Sequence, residues 1–454
     1  MKKIFALLLC AVMLFTLCAC DPGNDEPAGD GRTRIDIWLP MQESYDMAWW
    51  NAQFDAYNAQ SETYYVKISW VDMSAWDSKI LAARENGTAP DVVTYSIGGV
   101  AQQALYGTLS PINDYIEDLD EYLKDYDEKI VANITDINGD VYGIPRFIEP
   151  SMLLFYRKDI LSAAGWNEAP KSLTELEQCC ADVKAYLDAN PNVGINYSMQ
   201  VGSTNDDYGW VSWAIQAQLS GHESSLNADW TKADLSGYEK VAEYWADLHD
   251  MEGVAAQGLT SGGYKDIYAA IWEGKVAMQQ CGSWIWGNLQ TVEDYAYLRD
   301  KIGVAPWPTE SGETDGQILC SVGGYSLAIE KGSDCPEGAA DFIKWCLLSE
   351  ESVARQYDFF EAGNFCKFSA RKAVNDMILE NVGAENELAN LVINTLLPNA
   401  MVEPTYPWEI SQFLGNAYVA YVAGGVTSAE AIAGAEANIN GYIAANGVAD
   451  NIFN

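Results

Sequence analysis

Histidine is nearly absent from this chain: His222 and His249 are its only two, and they sit in unrelated contexts. No Gly-x-Ser-x-Gly, His-Glu-x-x-His or phosphate-cradling Gly-x-x-x-x-Gly-Lys occurs, so the common hydrolase, zinc-protease and nucleotide signatures are missing. Basic residues are scarce as well, 26 Lys and Arg against 65 Asp and Glu, for a formal charge of −39 at pH 7. Phosphate recognition needs clustered Lys and Arg, which argues against nucleic acid and anionic polymers as partners. Beyond the first 17 residues no apolar run approaches the roughly 20 needed to cross a bilayer. There is no internal repeat. Phenylalanine, at 12, is outnumbered by 16 Trp and 26 Tyr, a bias toward rings with a polar handle.

What is present begins with an export signal. Met1-Lys2-Lys3 is short and positive, and Ile4 to Leu17 is apolar, the n-region and h-region of a secretory leader. Leu17-Cys18-Ala19-Cys20 resembles the bacterial lipobox, which makes Cys20 the expected lipidation site and the mature N-terminus, with 1–19 the signal peptide. The alternative is an ordinary signal cleaved near Ala19, leaving Cys20 an incidental thiol. The polar, Gly- and Pro-rich stretch that follows, to about residue 32, cannot pack a core and reads as a flexible leash. About 420 residues remain, enough for two domains or one two-lobed unit. Seven cysteines lie beyond the leash (Cys179, Cys180, Cys281, Cys320, Cys335, Cys346 and Cys366), with no CxxC pair and no metal-like spacing with histidine. They are expected to be small buried apolar residues. No metal and no cofactor is expected.

Strand-like and helix-like segments alternate, which predicts an α/β fold. Ile35, Ile37 and Leu39 alternate within 34–40, as do Val66, Ile68 and Trp70, and residues 45–60 between them carry helical spacing. Asp91 to Tyr95 reads as a buried strand. Ser172-Leu-Thr-Glu175 and Thr427-Ser-Ala-Glu430 are capping boxes that open helices. Pro145 to Pro150 and Ser321 to Gly324 are the expected connections between lobes. Asp136-x-Asn138-Gly-Asp140 resembles the start of a calcium loop, but Phe147 stands where the closing Glu belongs, so a hairpin turn is expected.

Six blocks in register resemble the extracellular solute-binding proteins of ABC sugar importers, the family that includes maltodextrin-binding protein. They are Trp76 to Arg84 with Gly87-Thr-Ala-Pro-Asp-Val-Val93; Val141-Tyr-Gly-Ile-Pro145 with Phe155-Tyr-Arg-Lys-Asp159; Gly274 to Trp284; Val322-Gly-Gly-Tyr-Ser-Leu-Ala-Ile329; Ala339 to Leu348; and Gly424 to Ile443. The resemblance implies two α/β lobes of the periplasmic-binding-protein type (type II) closing by hinge motion over a ligand. It implies lobe 1 from 33–146 plus about 325–362, and lobe 2 from about 149–320 plus 365–454. It further implies a carbohydrate ligand, docking on the transmembrane subunits of an ABC permease, action as a monomer, and no catalysis. With a lipid on Cys20, the expected address is the outer face of a Gram-positive cell membrane.

A sugar offers apolar C–H faces to aromatic rings and hydroxyl edges to planar hydrogen-bonding groups. Trp284, in Gly282-Ser-Trp-Ile-Trp-Gly287, resembles the family's stacking turn; Trp286 is expected to face the other way. Glu149, just past the hinge proline, matches a family position where a carboxylate grips hydroxyls. Gln42 and Glu43 follow the first strand at its carboxyl end, where open α/β sheets bind ligands, and Tyr95 ends the third. Trp76, Tyr208, Trp210 and Trp408 complete the aromatic candidates, each with packing in the core as its alternative. Gly324 would let backbone approach the ligand, or simply bend. Arg146 is the one basic residue at an expected contact point. The competing functions are a surface glycoside hydrolase or lyase, for which carboxylate pairs are poor support in so acidic a chain, and a binder of a peptide, polyamine or acidic sugar. Abundant rings favour an oligosaccharide over a monosaccharide.

Overall fold

The computed structural model describes residues 31–42, 44–201, 212–255, 269–448 and 453. The export signal, Cys20 and nearly all of the leash, Glu43, Tyr208 and Trp210 lie outside them.

Alternating side chains build the first strand as expected: Ile35, Ile37 and Leu39 are fully buried in β1 (Thr33–Pro40). The aromatic-rich helix Ser44–Gln60 follows and buries Trp49, Trp50, Phe54 and Tyr57. The chain then runs in parallel as β2 (Tyr64–Val71) and β3 (Val92–Ser96) on either side of β1. β4 (Leu109–Ser110) and β5 (Ile144–Pro150) come next, and β6 (Leu153–Arg157) opens a second sheet after only Ser151 and Met152. That sheet adds β7 (Tyr197–Gln200), β8 (Val276–Cys281) and β9 (Ile302–Pro306) in the order β7-β8-β6-β9. The chain returns to the first sheet through β10 (Cys320–Glu330) and later β11 (Ala400–Val402), giving β11-β10-β3-β1-β2 with β4 and β5 also on β10. Two sheets flanked by helices make a two-lobed α/β protein; one apolar cluster runs from the first sheet into β6, β8 and β9, and a second lies under the second-lobe helices.

The two expected connections pair with each other. β5 and β10 run antiparallel with Glu149 opposite Gly323 and Ile148 opposite Gly324. Where they leave the sheet, Ser151 N donates to Ser321 O at 2.9 Å and the two hydroxyls meet at 2.6 Å. A third segment joins them: Phe368 exchanges both backbone hydrogen bonds with Ile148, at 2.7 and 2.9 Å. Gly324 has φ 143°, and a Cβ there would stand 2.2 Å from Phe147 O. Close strand pairing at the hinge therefore requires a glycine here, whatever its backbone also offers a ligand.

The stretch 365–402 departs from its expected place in lobe 2. β11 extends the large sheet, Arg371 Nε donates to Asp125 at 2.9 Å, and Val374 and Ile378 join the large sheet's core, while the helix Glu387–Leu391 packs on β9. Its apolar side chains bridge both lobes, which no local pattern announces. The C-terminal helices Trp408–Val422 and Ser428–Asn446 pack on each other and on the second-lobe helix Tyr238–Asp250. Both capping boxes close as predicted, at Ser172 and Thr427. Asp136 to Asp140 is the expected turn, with Asp136 Oδ1 accepting from the backbone of Asn138 and Asp140 between the bridged residues Thr135 and Val141. All seven later cysteines are buried. Burial pushes the thiols of Cys179, Cys320 and Cys346 up to about 12, which keeps them protonated and inert.

Candidate ligand-binding cleft

A cavity of about 830 Å³ opens where the sheets meet. From the first lobe come Met41 and Gln42, immediately after β1, and Asp72, Met73 and Ser74 after β2. Ser96 ends β3 above the same space, so the carboxyl ends of the parallel strands face the opening, as the doubly wound rule expects. The hinge strands supply the floor through Glu149, Gly324 and Tyr325. The second lobe supplies a wall of Trp272, Trp284, Asn288 and Tyr295. Met73, Ser96 and Tyr325 are shared with an adjoining cavity of about 350 Å³ lined by Trp76, Tyr95, Gln102, Gln103 and Trp408.

Trp284 is held by its turn. A Cβ on Gly282 would fall 1.8 Å from the Trp284 ring, so only glycine leaves the indole its place. Ser283 N donates to Pro150 O at 2.9 Å, which ties the turn to the hinge. Trp286, one helical step on, is 5% exposed and packs on Phe155, the opposite orientation to its neighbour. Glu149 is also placed as expected, largely buried with its side chain reaching the cavity. Gln42 lines the cavity and accepts a hydrogen bond from Lys367 Nζ at 3.0 Å.

Trp76, Tyr95 and Trp408 fall together in the adjoining cavity. Tyr95 brings its ring to that space, and its hydroxyl accepts from Arg84 Nη2 at 2.8 Å, within a network in which the same guanidinium holds Glu330. Trp408 opens its helix and meets Trp213 edge-to-face at 6.1 Å.

Arg146 is the clear correction. Its side chain is fully buried beneath the hinge, 3.7 Å from Asp46 and against the rings of Trp50, Phe147 and Tyr325. It cannot reach a ligand. Among the described residues the cation lining the cavity is Lys367, which no motif marked; its Nζ lies 3.4 Å from Asp46 and 3.9 Å from Glu149. Glu403 was also missed as a lining residue. Its Oε1 accepts from Gly98 N at 2.7 Å, at the N-terminal end of the helix Ile97–Leu105, where a carboxylate is favoured. Tyr325 sits among these charges, its hydroxyl pushed up to about 12 by burial first and then by Glu149. Trp272 and Tyr295 gave no signal, since a lone ring in a strand–loop stretch is more often core.

Two lobes joined by adjacent hinge segments, with a polar and aromatic cavity at their junction, define a two-lobed solute binder. The chain belongs to the bacterial extracellular solute-binding proteins, whose family profile matches residues 52–378. It is similar to the maltodextrin-binding protein MdxE of Bacillus subtilis, 23% identical over 408 residues, which cover 87% of this chain and 86% of that one. It is also similar to a maltooligosaccharide ABC transporter solute-binding lipoprotein of Streptococcus pneumoniae R6, 25% identical over 366 residues, covering 77% and 78%. Among solved structures, the cyclic alpha-maltosyl-1,6-maltose binding protein of Arthrobacter globiformis superposes with a TM-score of 0.72 at 21% identity, covering 90% of this chain and 99% of that one. The fold and family expected from the six sequence blocks are thereby borne out.

Proposed function

We propose that this protein captures a carbohydrate, an oligosaccharide, outside the cell and delivers it to an ABC permease, held at the membrane by a lipid on Cys20. The observation that carries the reading is the make-up of the cleft. Rings of the second lobe, Trp284 and Tyr295, line the same cavity as Gln42, Asp72 and Glu149, the combination that sugar faces and hydroxyl edges require. The volume, about 830 Å³, lies toward the upper end of the roughly 300–1,000 Å³ typical of small-molecule sites. That supports a ligand of more than one ring. The names borne by the relatives, maltodextrin, maltooligosaccharide and a cyclic maltosyl-maltose, point the same way.

The test is a calorimetric screen of the purified mature domain against neutral mono- and oligosaccharides, with product analysis of each mixture. Binding of an oligosaccharide without turnover is expected. Cleavage of any of them would sink the binding reading, and binding of monosaccharides alone would remove the oligosaccharide. The lipid is tested separately. Labelling cells with a fatty acid should mark the wild type and leave Cys20→Ala unmarked; equal labelling of both refutes the anchor.

A further inference from the structure

Lys367 reaches the cleft floor by an uncommon backbone route. Asn364 and Phe365 both take left-handed φ, 52° and 55°, a conformation that L-residues disfavour. Such strain persists only where the surroundings hold it, and it collects at binding sites. Here Phe368 anchors the far side through its two hydrogen bonds to Ile148. Between these constraints the side chain is 3% exposed, with Phe147 beneath its ammonium at 4.5 Å. Nζ stands 3.0 Å from Gln42 Oε1, 3.4 Å from Asp46 Oδ2 and 3.9 Å from Glu149 Oε1. Two of those acceptors lie in the first-lobe segment after β1 and the third on the hinge strand β5. One cation therefore ties the lobe, the hinge and the third crossing at the edge of the ligand space.

We propose that Lys367 is a positioning residue: anchored on Asp46 and Gln42, its ammonium holds the Glu149 carboxylate in the orientation that receives ligand hydroxyls. The inference rests on the carbohydrate reading above for the ligand that Glu149 grips. The charges are arranged for it. Lys367, Arg146, Glu149 and Glu403 all surround the Tyr325 hydroxyl, and Asp46 lies behind Lys367. Among the described residues three carboxylates, Asp46, Glu149 and Glu403, already stand against two cations there, and removing Lys367 leaves Arg146 alone against them, so Glu149 would then bind its proton more tightly.

The experiment compares Lys367→Met and Lys367→Arg with the wild type in the whole mature protein. Without any ligand, carbon NMR of glutamate-labelled protein follows the Glu149 carboxyl, assigned by its loss in Glu149→Gln. Lys367→Met should move its titration upward, and Lys367→Arg should leave it near the wild-type position. With the saccharide found in the screen, Lys367→Met should bind more than about tenfold more weakly, and the deficit should grow as pH falls through the range in which the variant's Glu149 is seen to take up its proton. Wild type should stay flat over that range, and Lys367→Arg should recover most of the affinity. A Glu149 titration that stays put in folded Lys367→Met overturns the proposal, as does a loss equal in both variants at every pH. Lys367→Gln carries the same test where the methionine variant does not fold. A titration that moves while no saccharide binds the wild type overturns the carbohydrate reading and leaves the Lys367–Glu149 coupling standing.

Discussion

Trp284→Ala is expected to weaken oligosaccharide binding by more than about tenfold, at least about 1.4 kcal/mol, with the fold intact. The ring lines the cavity and is only partly buried, so its removal takes away ligand contact more than core. Trp286 provides the internal contrast. It is buried against Phe155, and its truncation should cost about 3–5 kcal/mol of stability instead. Calorimetry and thermal melts on the two variants separate the effects. An unchanged affinity in folded Trp284→Ala would remove that ring from the site.

A stability effect as large is expected at Asp46. It is fully buried in the helix Ser44–Gln60, between Arg146 at 3.7 Å and Lys367 at 3.4 Å. Among the described residues, the guanidinium nitrogens of Arg146 find no hydrogen-bond acceptor; three rings and one carboxylate are what surround them. Asp46→Ala leaves two cations in a low-dielectric pocket, a loss of about 3–5 kcal/mol. Arg146→Met in the same background should recover part of it, because the uncompensated charge is then fewer by one. Urea unfolding of the two single variants and the double variant reads this directly. Additive losses would mean that the pair does not interact.

How much of this could be read from the residues alone follows from how local each feature is. β1 announced itself because its buried side chains recur every second residue, and the helix at Ser172 because its capping box lies within four residues. The hinge strands were legible because each carries a compact block, Tyr142-Gly-Ile-Pro145 and Val322-Gly-Gly-Tyr325. Trp284 was singled out through its block, Gly282-Ser-Trp-Ile-Trp-Gly287, and the structure adds that its ring requires the glycine at 282. Lys367 was not. It meets Gln42 across 325 residues of chain, through a turn in which neither left-handed residue is glycine. Arg146 misled for a related reason: it lies on a strand whose Glu149 reaches the cavity, but its own side chain is buried beneath the hinge. Tyr95 shows a third limit. Its strand end was rightly placed, yet Arg84, eleven residues earlier, had already claimed its hydroxyl.

The seven buried thiols carry a consequence for how the protein ages. Folded, all seven are shielded from oxidants by burial, and the thiols of Cys179, Cys320 and Cys346 are besides too weakly acidic to act as nucleophiles. Unfolding returns each to an ordinary thiol with a pKa near about 8.5, so an appreciable fraction becomes nucleophilic at neutral to mildly alkaline pH. In air, a single excursion out of the native state can then be captured as random disulfides within or between chains. Durability therefore depends on how seldom the molecule opens more than on its equilibrium stability, and a reducing or oxygen-free setting lets it reopen and refold without penalty.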